Sequence, residues 1–177
     1  MTVEPTQSPN TFGAMGFDAF YARNLPIVYG YALRLCGGSA DRAQDLAQEA
    51  WVQFVDRVRQ GTADGLDVRW LVAVARNRYV DQWRRARRLE TKLGLVWNAT
   101  RESDTDTSVT RDQVVDRLVE LEEDHRLVLA MRYIDCMPVD EIATAISRTV
   151  TATYSLLARA RQQLRELVPC AIEEHQP

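Results

Sequence analysis

Between Arg69 and Lys92 the chain places eight basic side chains against two acidic ones, Asp81 and Glu90, although the whole protein carries a formal net charge of -3. The stretch reads RWLVAVARNRYVDQWRRARRLETK and holds Trp70, Tyr79 and Trp83 among its arginines. Guanidinium groups neutralise phosphates and aromatic faces stack on unpaired bases, so this mixture suits nucleic acid. The same residues also describe a solvated, Arg-rich helix end, and charge alone does not separate the two readings. No nucleophile–base set, metal cluster or phosphate-cradling loop competes with them, so neither catalysis nor a metal or other cofactor is expected. His125 lies beside acids on a helical stretch, far from His175, where a solvated role is expected. Cys36, Cys136 and Cys170 are odd in number and widely spaced, which makes neither a zinc pattern nor a disulfide framework. A reducing cytoplasm is the expected compartment.

The elements that must position this stretch are helical. A chain of 177 residues with 46% hydrophobic and 27% charged residues is a globular composition, enough for one domain or two small ones. It has no apolar run of about 18 residues, so no membrane insertion is expected. The opening MTVEPTQSPNTFGAMG lacks the basic start and apolar core of a secretory signal and reads as a flexible tail. Phe17, Phe20, Tyr21, Val28, Tyr29, Ala32, Leu33 and Cys36 then recur at helical spacing, with Pro26 predicting two pieces or a kink near Asn24. Gly37-Gly38 ends this segment, and Ser39 or Asp41 is placed to cap the next helix. That helix lines up Ala43, Leu46, Ala47, Ala50, Trp51, Phe54, Val55 and Val58 on one side. Gln60 to Asp67, QGTADGLD, reads as a loop. A third helix, about Val68 to Arg88, is expected to bury Leu71, Val72, Ala75, Tyr79 and Val80.

From Thr91 to Asp112 the periodicity fails, and NATRESDTDTSVT has the composition of a linker. Trp97 within it is expected to pack. Helical spacing resumes at Val114, Val115, Leu118 and Leu121. A helix from Glu123 or Asp124 turns Leu127, Val128, Met131 and Ile134 inward. Asp135–Pro138 is a turn, Pro138 suits the first turn of the following helix, and that helix reaches about Ile146. A turn of three or four residues leads into a final helix, Val150 to Leu167, which carries Arg159, Arg161 and Arg165. Two helices so joined form a helix-turn-helix, whose second member enters the major groove. A plain helical hairpin fits the spacing equally well.

Three blocks in order resemble the extracytoplasmic-function sigma factors of bacterial RNA polymerase, the smallest sigma-70 relatives. DRAQDLAQEAWVQF, Asp41 to Phe54, is similar to the family's core-binding block. WLVAVARNRYVDQWRRARR, Trp70 to Arg88, is similar to its promoter-melting block. LVELEEDHRLVLAMRYIDCMPVDEIATAI, Leu118 to Ile146, with YSLLARARQQLREL after it, is similar to the C-terminal promoter-binding domain. The resemblance covers about Phe17 to Leu167. It implies an all-α chain of two small helical domains, a region 2 bundle over 15–91 and a region 4 helix-turn-helix over 113–169. A polar linker over 92–112 joins them, with tails at 1–14 and 170–177.

The resemblance also implies a mechanism. By the resemblance the protein would bind core RNA polymerase, at the β′ clamp helices and the β flap, and direct it to promoter DNA. Gln44, Asp45, Gln48 and Glu49 match clamp-binding positions, with Gln44 standing where the family usually has Glu. Asp45 and Glu49 are four residues apart and share a helix face. Gln60, Thr62 and Asp64, in the loop that captures a flipped base in relatives, serve the minus-ten element with Asn77, Arg78, Asp81, Arg84, Arg85, Arg87 and Arg88. Trp51, Trp70 and Trp83 are expected to pack rather than to stack on bases. Arg148, Thr149, Thr151, Ala152, Tyr154, Ser155 and Arg159 correspond to the minus-thirty-five reader.

This reader departs from the family pattern. Ser147 stands where a turn glycine is usual, a penalty if the site needs positive φ. Tyr154 replaces a usual Lys and Leu156 a usual Arg, which removes two expected phosphate charges. Two other readings stay open, a free-standing helix-turn-helix regulator and a sigma-like modulator with a weak DNA reader. An anti-sigma factor is left open as a further partner.

Overall fold

The computed structural model of the protein describes residues 11–14, 16–93 and 117–167. Among these residues there are helices and no strand. Helix α1 is Phe17–Leu35, α2 Ala40–Arg59 and α3 Val68–Leu93. A 3-10 turn over Leu118–Glu120 precedes α4, Glu123–Leu129, which runs on into a π turn over Ala130–Ile134. Helices α5, Val139–Ala145, and α6, Val150–Leu167, complete the order. Two compact units result. The first takes the chain through Leu33 together with Ser39–Asp81, and the second takes Arg34–Gly38 together with the chain from Gln82 onward.

The first unit is held by an aromatic cluster. Phe20 and Phe54 are fully buried and stack at 5.0 Å between ring centroids, Trp51 meets Phe20 edge-on at 6.2 Å, and Trp70 lies 6.1 Å from Phe54. Rings in these offset and edge-to-face arrangements add to the stabilisation from burial itself. Alanines 43, 47, 50 and 75 are buried among them. Helix α2 buries Ala43, Leu46, Ala47, Ala50, Trp51 and Phe54, while Val55 and Val58 at its far end are only half-buried, as is Val72 on α3. Its first turn carries Asp41 and its last turn Arg57 and Arg59, which suits the helix dipole at both ends. Ser39 occupies the cap position but makes no side-chain cap bond. Asp67 does cap α3, accepting from the N–H groups of Arg69 and Trp70 at 2.9 and 3.4 Å.

Several features differ from the sequence reading. Helix α1 continues through Pro26 as one helix, so of the two expectations the separate pieces do not form. In the turn before the proline, the buried Asn24 amide donates to the Phe20 carbonyl at 2.8 Å. The stretch read as a tail is fixed at Phe12, whose N–H donates to Leu66 O and whose carbonyl accepts from Gly65 N, while its ring packs edge-on against Phe20 and Phe54. Ile134, expected inside, is 38% exposed. The π turn explains it: Asp135 N–H bonds back five residues to Ala130 O, and the extra residue rotates Tyr133 and Ile134 off the apolar face. Trp97, Val114, Val115, Cys170 and His175 lie outside the described residues.

In the second unit α6 packs on α4 and α5. Leu127, Val128, Met131, Ile142, Ile146, Leu156, Leu157 and Ala160 are buried there. Pro138 is the residue before α5 rather than within its first turn. His125 is not simply solvated, since its Nδ1 sits 2.6 Å from Gln163 Oε1 on α6. An unforeseen element is the buried Arg126. Its Nε donates to Leu35 O at 2.9 Å, and its Nη1 donates to Leu121 O at 2.8 Å and Val119 O at 3.3 Å. Gly37, at φ +63, lies so close that a Cβ there would stand 2.8 Å from the guanidinium. Arg126→Met is therefore expected to destabilise the protein by about 3 kcal/mol, because carbonyls that lose their donor keep their desolvation cost. Urea unfolding of the full chain measures it, and an unchanged midpoint would mean that those carbonyls find other donors.

Candidate polymerase and nucleic-acid interfaces

On α2 the side chains of Gln44, Asp45, Gln48 and Glu49 are all exposed, opposite the buried alanine and aromatic face. Periodicity produces this arrangement: the buried residues recur three and four apart, and the residues between those repeats fall on the opposite face. Gln44 and Gln48 also line a groove of about 730 Å³ whose other wall is Tyr21, Leu25, Pro26 and Tyr29 of α1. Glu49 pairs with Arg78 of α3 at 3.6 Å, both about half exposed, so this contact is worth little in water.

The loop from Gln60 to Asp67 is held by its backbone. Gly61 and Gly65 adopt positive φ, Thr62 N–H donates to Arg57 O at 2.9 Å, and Ala63 is buried as an anchor. Gln60, Thr62 and Asp64 stand exposed around that anchor. Asn77, Arg78, Asp81, Arg85 and Arg88 are exposed on α3, and Trp83 is buried, as expected of a packing residue. Arg84 and Arg87 are half-buried and engaged. Arg84 Nη2 donates to Thr144 O at 3.0 Å, and the Arg87 guanidinium is in close contact with the Asp124 carboxylate.

The turn between α5 and α6 places Ser147 at φ +55, the strained conformation foreseen for a residue in a glycine position. Thr149 caps α6, its hydroxyl accepting from Ala152 N–H at 3.2 Å. Thr151, Tyr154, Ser155 and Arg159 are exposed along one side of α6, with Ala152 half-buried and Tyr154 56% exposed. Leu156 is 3% exposed and belongs to the core, so its replacement of a usual Arg takes no charge from the exposed side of this helix. The other expected loss, at Tyr154, does fall on that side.

The chain matches the model of Sigma-70 region 2 over residues 20–89 and that of Sigma-70, region 4 over residues 111–164. Over 163 residues it is 31% identical to the ECF RNA polymerase sigma factor SigL of Mycobacterium tuberculosis, covering 83% of this chain and 85% of that protein. The chain belongs to the ECF sigma factors. It is also 29% identical to the ECF RNA polymerase sigma factor BldN of Streptomyces coelicolor, where the match covers 88% of the chain but spans 61% of the relative's length. A solved sigma factor, RpoE of Bartonella quintana in complex with the anti-sigma factor NepR, has the same fold, with TM-score 0.51 at 21% identity over 88% of this chain and 98% of that one.

As a sigma factor the protein is an initiation factor of RNA polymerase. Its exposed polar faces fall within the two matched regions: the α2 quartet, the 60–67 loop and the α3 arginines in region 2, and the α6 face in region 4. Sequence reasoning missed Asp124, Thr144 and Arg126. The acidic run Glu122-Glu123-Asp124 was visible, but nothing in a linear sequence says which acid meets the arginines. No described helix is long and apolar enough to cross a membrane.

Proposed function

We propose that this sigma factor docks on core RNA polymerase through Gln44, Asp45, Gln48 and Glu49 of α2. The α1–α2 groove beside them extends the surface for the β′ clamp helices. The exposed loop residues Gln60, Thr62 and Asp64, with Asn77, Arg78, Asp81 and the α3 arginines, then open and read the minus-ten element. The helix-turn-helix presents Arg148, Thr149, Thr151, Ala152, Tyr154, Ser155 and Arg159 to the minus-thirty-five element and meets the β flap. The domains proposed for these tasks are 15–91 and 113–169, joined by the linker over 92–112. The protein carries out no reaction of its own and works in the cytoplasm beside its polymerase. An anti-sigma partner is proposed on the likeness to the Bartonella sigma factor, whose structure was solved with one.

One observation carries the reading: four polar residues stand exposed together on a helix whose opposite face is core. A free-standing regulator has no use for that face. Run-off transcription with purified core polymerase tests the proposal. Transcripts from a cognate promoter support it, DNA binding without core supports a free-standing regulator, and core binding without transcripts supports a modulator.

The α6 face gives a sharper expectation. Tyr154 is exposed, so Tyr154→Lys leaves the melting temperature unchanged and restores a phosphate charge. Holoenzyme binding to upstream DNA should tighten by about threefold to tenfold, with weaker discrimination among base sequences, because phosphate attraction carries no sequence information. A lower melting temperature with weaker binding would place the ring in the core instead.

A further inference from the structure

We propose that Asp124 is an internal substitute for promoter phosphate, locking the sigma factor in a form that does not engage DNA. The inference rests on the reading of Arg84, Arg87 and Arg148 as phosphate ligands, and all the residues it uses belong to the second compact unit. Asp124, in the first turn of α4, is 14% exposed and its two oxygens are divided between the DNA-binding blocks. Oδ1 accepts from Trp83 Nε1 at 2.9 Å and contacts Arg87, both on α3. Oδ2 accepts from Arg148 Nη2 at 3.0 Å, in the helix-turn-helix turn. One turn further along the same cleft, Arg84 donates to the Thr144 carbonyl at the end of α5.

A carboxylate offers a guanidinium the same paired oxygens as a phosphate. Each arginine held this way is withdrawn from DNA. The cleft beside the contact, about 540 Å³, is lined by these three arginines and Arg88 together with Trp83, Ile146 and Ser147, with Arg88 exposed at its edge. It is open to a competing anion.

Geometry requires the contact to open when both promoter elements are read. The two elements lie about 25 base pairs apart, which at about 3.4 Å per step is on the order of 85 Å of duplex. The α3 block serves one element and the helix-turn-helix the other. They cannot both be seated while Trp83 and Asp124 remain hydrogen-bonded. Binding of the free chain to DNA is therefore reduced by the fraction of molecules in the open form.

The test uses the full chain without core and a forked DNA duplex of mixed sequence, read by fluorescence anisotropy. Asp124→Asn is compared with Glu122→Gln, which removes the same charge from an exposed neighbour. Asp124→Asn should bind about tenfold more tightly than Glu122→Gln, the gain for a lock that leaves about one molecule in ten open. Equal affinities would overturn the lock. In the wild-type chain the Trp83 indole N–H resonance should move as DNA saturates, and an unmoved resonance would overturn it as well. Run-off transcription by wild-type holoenzyme separates the two levels of inference. Transcripts without a gain for Asp124→Asn refute the lock alone, and no transcripts refute the assignment on which it rests.

Discussion

Changing Asp45 and Glu49 together to arginine is expected to weaken binding to core RNA polymerase by at least about 100-fold, the effect of several kcal/mol from like charges at a charged interface. Both side chains are exposed on α2 and bury nothing, so the fold has no reason to change. Glu49 does lose its pair with Arg78, but at 3.6 Å and about half exposure that pair adds little stability. Competition against the wild-type chain for a limiting amount of core polymerase measures the effect, with a thermal melt as the control for folding. A double variant that melts normally and still competes equally would remove the α2 face from the interface. Gln44 sharpens the point. Where the family usually has Glu this chain has one charge fewer, so on the proposed interface Asp45 and Glu49 would carry more of the electrostatic steering.

The second large effect lies in α3. Replacing Arg84, Arg85, Arg87 and Arg88 by alanine should lower the slope of holoenzyme–promoter affinity against salt by between about three and four units, since each phosphate contact contributes about 0.9. Affinity should fall almost equally for different promoter sequences, because phosphate contacts position the protein without reading bases. The structure divides the four. Arg85 and Arg88 are exposed and available as they stand, whereas Arg84 and Arg87 are held by Thr144 and Asp124 and must first be released. Arg85→Ala with Arg88→Ala should therefore lower the slope by about two units. An unchanged slope for the quadruple variant would mean that these side chains stay in solvent or in their internal pairs when the promoter is bound.

Sequence alone determined the helices, the family and which faces of α2 and α3 stand exposed. Alternation of apolar and polar residues at helical spacing is a local property, and it placed Ala43, Leu46, Ala47, Ala50 and Phe54 in the core with Asp45 and Glu49 opposite them. Turn chemistry is local too, so Gly37-Gly38, the 60–67 loop and the strained Ser147 were legible from residue types. Tertiary structure decided the rest, because the deciding contacts join residues far apart in the chain. Asp124 reaches back 41 residues to Trp83, and Arg126 reaches back 91 residues to Leu35, so each side chain's role depends on packing that no window of sequence contains. Ile134 and Leu156 exchanged their expected sides for the same kind of reason. A π turn rotates one out of the core, and packing of α6 against α4 and α5 draws the other into it. Pattern gives the faces of single helices. Only their packing decides which arginine stands exposed and which already holds a carboxylate.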